Sequence, residues 1–181
     1  VVLEDRDARV WVAFHEGLVR YDPRTRQVDR WSRPAARDAA LEGVPVAMAQ
    51  DGAGLLWIAT EANGLQARDS TGHVLHNLYP GDGQGLLSGT QIASLARGPD
   101  GRVWVLGAHG VQAWNSDRRR LEHVVGMPAD AVRGMAVAPD GQIWVARDDA
   151  IERYRSAPRR YERTWRMDAA GGLPQVVPNG V

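Results

Sequence analysis

Residues 51–60 read Asp-Gly-Ala-Gly-Leu-Leu-Trp-Ile-Ala-Thr, and the centre of this stretch, Leu56-Trp57-Ile58, decides the fold because it recurs. Val10-Trp11-Val12, Val103-Trp104-Val105 and Ile143-Trp144-Val145 repeat it at successive separations of 46, 47 and 40 residues. The shared frame extends outward from each Trp. Three residues before it stands a small turn residue: Ala8, Gly54, Gly101 or Gly141. Six or seven after it come Gly17, Gly64, Gly110 and Ala150, each followed by an apolar residue. Four beyond these stand Tyr21, Arg68, Trp114 and Tyr154, and nine before the Trp lie Val2, Met48, Leu95 and Met135. Self-similarity at such a period marks a repeat architecture.

The units read as strands. Branched apolar residues flank every Trp, giving short runs bounded by Gly, Asp and Pro, the pattern of strands covered on both faces. Asp100-Gly101 and Asp140-Gly141 are hairpin dipeptides, because Gly accepts a positive φ that a Cβ opposes. Glu16-Gly17 and Asn63-Gly64 close the next hairpin, and Asp22-Pro23-Arg24-Thr25 opens a third turn. Only Pro34–Leu41 hints at helical spacing, and it reads better as a surface loop.

Each unit therefore holds four strands, A to D. A carries the Val2 column, B carries the Trp, and C runs from the glycine to the Tyr21 column. D covers Val28–Trp31, Val74–Leu78, Leu121–Val125 and Tyr161–Trp165. Four-stranded units with no intervening helix predict an all-β chain of about four antiparallel β-propeller blades. The expected blades are 1–43, 44–90, 91–131 and 132–172, with 173–181 leading into a further blade. Trp11, Trp57, Trp104 and Trp144 are expected as the core between blades. A fragment of a larger ring is expected, with a closed four-bladed ring, or one completed by a second chain, as the alternative.

Composition bounds the function. The 22 basic residues, all Arg, balance 22 acids, so a sequence-blind nucleic-acid binder is not expected. Without Cys there are no disulfides, thiolate metal sites or Cys nucleophiles. No apolar run approaches the roughly 18 residues of a membrane helix. The first residue is Val, so any signal segment or anchor is expected to lie outside this sequence.

The unit resembles the two-component-regulator propeller repeat of bacterial sensors. The segment Asp51–Thr60 supplies the family's Asp-x-x-Gly-x-Leu-Trp-x-Gly-Thr half, and Gly17-Leu18-Val19-Arg20-Tyr21-Asp22 supplies the second half. Gly85-Leu86-Leu87-Ser88 and Gly172-Leu173-Pro174 match the lead-in to a new strand A. The pattern erodes where Gly98 and Ala138 replace the leading Asp, and where Ala59, Leu106 and Arg147 depart from Gly-Thr. The resemblance implies a periplasmic sensor domain of membrane-anchored histidine kinases or diguanylate cyclases. It implies signal transduction by ligand binding, with no catalytic residue, cofactor or metal, and membrane attachment only through absent segments.

Antiparallel strands put the D-to-A connections (Ser32–Gly43, Tyr79–Gly89, Gly126–Asp130, Met167–Pro174) and the B-to-C turns on one face. His15, Glu61, His109 and Asp148 are the candidate binding residues there, for a small molecule such as a saccharide or for a protein. Pairing as a homodimer or with further blades is a third expectation. A propeller lyase or hydrolase using a channel-mouth His and acid is the enzymatic alternative, and a protein-interaction scaffold is another. Gly81-Asp82-Gly83-Gln84-Gly85 mimics a phosphate loop but introduces a strand, so it reads as a loop. Arg153–Arg166 and Arg118-Arg119-Arg120 read as exposed outer edges. Replacing Trp104 by Ala is expected to cost about 3–5 kcal/mol, measurable as lost thermal stability.

Overall fold

A computed structural model describes residues 1–15, 17–32, 43–61, 64–79, 81, 92–130 and 132–172. Its strands form four sheets, each an antiparallel meander in chain order. Blade 1 comprises β1 (Val2–Glu4), β2 (Val10–Phe14), β3 (Gly17–Asp22) and β4 (Gln27–Ser32). Blade 2 comprises β5 (Pro45–Gln50), β6 (Leu56–Thr60), β7 (Gly64–Arg68) and β8 (Val74–Leu78). Blade 3 comprises β9 (Ile92–Arg97), β10 (Val103–Gly107), β11 (Gly110–Asn115) and β12 (Arg120–His123). Blade 4 comprises β13 (Gly134–Val137), β14 (Ile143–Ala146), β15 (Ala150–Ala157) and β16 (Arg160–Asp168), followed by a 3₁₀ turn at Ala169–Gly171. The fold is that of all-β propeller blades. Pro34–Leu41, and Gly81–Gly85 beyond its first residue, lie outside the described residues.

The turns explain the register. Ala8, Gly54, Gly101 and Gly141 all adopt a positive φ, of 58°, 90°, 78° and 79°. The small-residue column is thus a left-handed column, and only blade 1 fills it with a side chain that this conformation disfavours. Each Trp then sits mid-strand in B, and in blades 2 and 3 its cross-strand neighbours are small: Ala49 and Ala67 beside Trp57, Ala96 and Ala113 beside Trp104.

First strands of successive blades pack side by side, β1 on β5, β5 on β9 and β9 on β13, so strand A of each blade lines the axis. Among the described residues three core clusters form, one at each junction between successive blades. In each, the Trp of one blade meets the aliphatic pair that flanks the next Trp. Trp11 packs with Leu56 and Ile58, Trp57 with Val103 and Val105, and Trp104 with Ile143 and Val145. Trp11, Trp57 and Trp104 are buried, whereas Trp144 is only half-buried. Trp144 belongs to none of the three clusters formed among the described residues.

The leading Asp of the repeat has a specific task. The Asp51 carboxylate accepts from the Trp57 indole Nε1 at 2.8 Å and from the Ala53 and Leu55 amides at 2.9 Å each. Asp5 does the same for Trp11 at 2.8 Å, and for the amides of Asp7 and Arg9. One carboxylate therefore closes the A-to-B turn and satisfies an indole donor that would otherwise be buried dry. In blade 3, where Gly98 has replaced it, Asp100 accepts from the Trp104 Nε1 at 3.0 Å. Burial raises the Asp5 carboxyl, but the Trp11 indole, Arg9 and the turn amides outweigh it and hold the group below the ordinary carboxylate range.

Two substitutions test this account in chemical denaturation. Asp51→Ala orphans the Trp57 indole and is expected to cost about 1–3 kcal/mol. Ala8→Gly relieves the left-handed strain and is expected to stabilise the chain by about 0.5–1 kcal/mol.

Candidate functional site

Hairpin geometry assigns the two faces. The B-to-C turns emerge opposite the A-to-B turns, and His15, Glu61, His109 and Asp148 stand one per blade on the B-to-C side, all exposed. Their spacing around the face follows the blades, so they do not converge on a single pocket. Asp148 is held by Arg133 at 2.6 and 2.9 Å. Most of the D-to-A connections expected to complete this face lie outside the described residues.

Blade 4 carries a buried charge network on the same side. Glu152, fully buried on β15, accepts from the Tyr154 hydroxyl at 2.7 Å and from Arg163 and Arg166 at 2.8 Å each. Arg166 also reaches Asp149 at 2.8 Å, and Arg147 ties the B-to-C turn to Asp130. Burial raises the Glu152 carboxyl, but Tyr154, Arg166, Arg163 and the Arg147 charge together pull it below its ordinary value. Burial and the same carboxylate push the Tyr154 phenol upward. Arg155, Arg159, Arg160, Arg163 and Arg166 stand at an exposed edge, as expected, and from there Arg163 and Arg166 reach in to neutralise the buried Glu152 carboxylate. Arg68, in the column otherwise occupied by Tyr21, Trp114 and Tyr154, is likewise buried. It bonds Gln66 at 2.7 Å and the Gly72 carbonyl at 2.8 Å, and desolvation lowers it to about 10.

The concavity lies elsewhere. A hollow of about 410 Å³ opens at the axis between the first strands of blades 1, 2 and 3. Leu3, Met48, Ala49, Leu95 and Ala96 supply apolar lining, and Glu4, Asp5, Arg6, Gln50 and Arg97 supply the polar edge. The A-to-B turns that frame it are strapped together: Arg6 donates to the Gly52 carbonyl at 2.9 Å and the Asp51 carbonyl at 2.7 Å, and the Gly52 amide donates to the Gly101 carbonyl. A second hollow, of about 390 Å³, runs along the outside between blades 3 and 4, with Arg102, His123, Arg159 and Arg160 among its walls. Sequence reasoning missed the axial hollow because three short stretches far apart in the chain build it, Leu3–Arg6, Met48–Gln50 and Leu95–Arg97, and none is a motif by itself. Among the described residues no three His, Asp or Glu side chains are grouped to hold a metal ion.

The charge network predicts a pH response. Glu152 has a depressed folded value, so its stabilisation is present above the unfolded carboxylate range and is lost as pH falls through the folded value. Glu152→Ala removes the shared acceptor of Tyr154, Arg163 and Arg166 and is expected to cost about 1–3 kcal/mol near neutrality, the arginines being exposed enough to be hydrated. Glu152→Gln is expected to flatten the acid limb of a melting-temperature profile.

No protein-family model matches the sequence, and no curated protein matches it. Solved structures do match in fold. The extracellular domain of BT3049 from B. thetaiotaomicron, assigned to a hybrid two-component system, superposes with a TM-score of 0.72 at 20% identity, over 97% of this chain and 23% of that one. The extracellular domain of BT4673 from the same organism, likewise assigned, gives 0.68 at 21% identity, over 92% and 24%. Virginiamycin B lyase from Staphylococcus aureus, bearing an inactivating H270A substitution and bound to quinupristin, gives 0.66 at 14% identity, over 96% and 56%. The chain thus spans about a quarter of the sensor-domain chains and just over half of the lyase. The likeness lies in the fold: the chain has the β-propeller fold of those extracellular domains.

Proposed function

We propose that this chain is a non-catalytic, ligand-binding propeller segment of a bacterial signalling receptor, working on the extracytoplasmic side of the membrane. The observation that carries the reading is the axial hollow. Its lining combines aliphatic Leu3, Met48 and Leu95 with Arg97, Glu4 and Gln50, whose amide is bonded to the Gly54 carbonyl and the Arg6 N–H. A mostly apolar lining with a few polar groups is the usual form of a small-molecule site. It suits a saccharide, whose C–H face lies on aliphatic side chains while its hydroxyls meet the polar edge.

The exposed face bearing His15, Glu61, His109 and Asp148 is the second reading, in which a larger partner spans several blades. A lyase reading is the third, and among the described residues the axial hollow is lined by no histidine that could act as its general base.

Calorimetric titration with neutral and uronic-acid oligosaccharides separates these readings. Arg97→Ala with Glu4→Gln is expected to weaken binding about tenfold or more, a loss typical of removing a central polar anchor. His15→Ala with His109→Ala is expected to leave it unchanged. The reverse pattern moves the site to the B-to-C face, and ring opening of quinupristin by the chain overturns the non-catalytic assignment.

A further inference from the structure

Two runs that read from the sequence as outer edges, Arg118-Arg119-Arg120 and Arg153–Arg166, come together in the fold. The first lies in the turn between β11 and β12, and the second contains the β15–β16 hairpin, so both stand on the outer rim of the junction between blades 3 and 4. The hollow of about 390 Å³ opens at that rim, between two walls that both belong to described blades. On the blade 3 side stand Asp100, Arg102 and Glu122–Val125, and on the blade 4 side stands the hairpin from Ser156 to Tyr161.

Backbone contacts fix the walls to each other. The Tyr161 amide donates to the Val125 carbonyl at 2.9 Å, and a Cβ added to Gly126 would fall 1.9 Å from the Tyr161 carbonyl oxygen. The Tyr161 ring stands edge-on to the buried Trp104, with centroids 5.2 Å apart. Packed strands thus set the width of the hollow, which makes it a pre-organised place for a ligand.

Charge in this corner is lopsided. Asp100 accepts from Arg102 at 2.9 and 2.8 Å and from the Trp104 indole at 3.0 Å. Glu122 faces both Arg118, at 2.9 Å, and Arg120, at 3.4 Å. Glu162 faces both Arg155, at 3.1 Å, and Arg160, at 3.2 Å. Three carboxylates therefore meet five arginines, and Arg159 adds a sixth, in a chain whose total charge is zero. Arg119 and Asp117, at the tip of the blade 3 turn, cancel. Among the described residues, Arg159, His123 and the Tyr161 hydroxyl have no hydrogen-bond or ion-pair partner. Arg159 and His123 are exposed and stand on opposite walls.

We propose that this hollow is a binding site, separate from the axial one, for the phosphate or sulfate ester group of a small organic molecule. Unmatched donors on two walls suit a tetrahedral oxyanion, whose oxygens accept from several sides, better than a planar carboxylate, which a single guanidinium fork can satisfy. The volume exceeds what a bare ion needs and falls in the range of small-molecule sites, so the anion is the head of a larger ligand. Exposed Val125 and Pro158 line the same hollow and can receive its apolar part.

Calorimetric titration of the 181-residue chain with phenyl phosphate and phenyl sulfate tests this, with phenol as the uncharged control. At least one ester is expected to bind about tenfold or more tightly than phenol, and the comparison of the two tells phosphate from sulfate. Arg159→Gln combined with His123→Gln removes two partnerless donors. It is expected to weaken ester binding about tenfold or more while leaving the melting temperature unchanged. Mapping phenylglyoxal modification on the unaltered chain reads the same contact without a variant: the bound ester is expected to shield Arg159 and to leave Arg97, at the axial hollow, reactive. Ester binding no tighter than that of phenol, binding indifferent to the double variant, or shielding of Arg97 in place of Arg159 would each overturn the proposal.

Discussion

The three second-strand indoles buried at the junctions, Trp11, Trp57 and Trp104, are each held from two directions. Across the junction each meets the branched aliphatic pair of the next blade, and within its own blade a turn carboxylate takes up its N–H. Burying the ring alone would strand a polar donor, and satisfying the donor alone would leave a large apolar surface wet. Because one carboxylate also ties the turn amides, ring position, turn shape and strand register are one problem with one solution. The repeat unit is the solution, copied.

That coupling explains how much of the fold was legible in the sequence. The Trp column, the small turn residues and the spacing to the next glycine are all local requirements, and each leaves a residue behind. The carboxylate shift in blade 3 shows the same logic: with Gly98 in the leading place, Asp100 serves the indole of Trp104 from two residues further on. Trp144 was misjudged because burial belongs to a pair of blades, whereas the motif belongs to one. The bonds from the exposed Arg163 and Arg166 to a buried carboxylate were hidden for a related reason. Only the fold reveals that Glu152 is sealed and needs them.

The site was less legible than the scaffold. His15, Glu61, His109 and Asp148 occupy equivalent turns, one per blade, and equivalence around an axis spreads residues apart. The axial hollow is assembled by Leu3, Met48 and Leu95, each one of several apolar residues in an inner strand. Nothing distinguishes them locally from ordinary core. Function in such an architecture resides in the concave lining of repeated elements, and single-position chemistry gives little sign of it.

The arrangement of three junctions in a row also sets how this molecule comes apart. Blades 2 and 3 are clasped on both sides, while blades 1 and 4 are each clasped on one. In a nearest-neighbour array the energy of each unit depends on how many flanks it shares. In the 181-residue chain taken by itself, local opening therefore begins at blades 1 and 4 and works inward, and β6 and β10 exchange their amide hydrogens last. The axial hollow, bordered by blades 1, 2 and 3, straddles that gradient: one wall belongs to a fraying end and two to the slow interior. A molecule resting there would add a clasp to the loosest of its three walls, turning occupancy into rigidity at one end of the array.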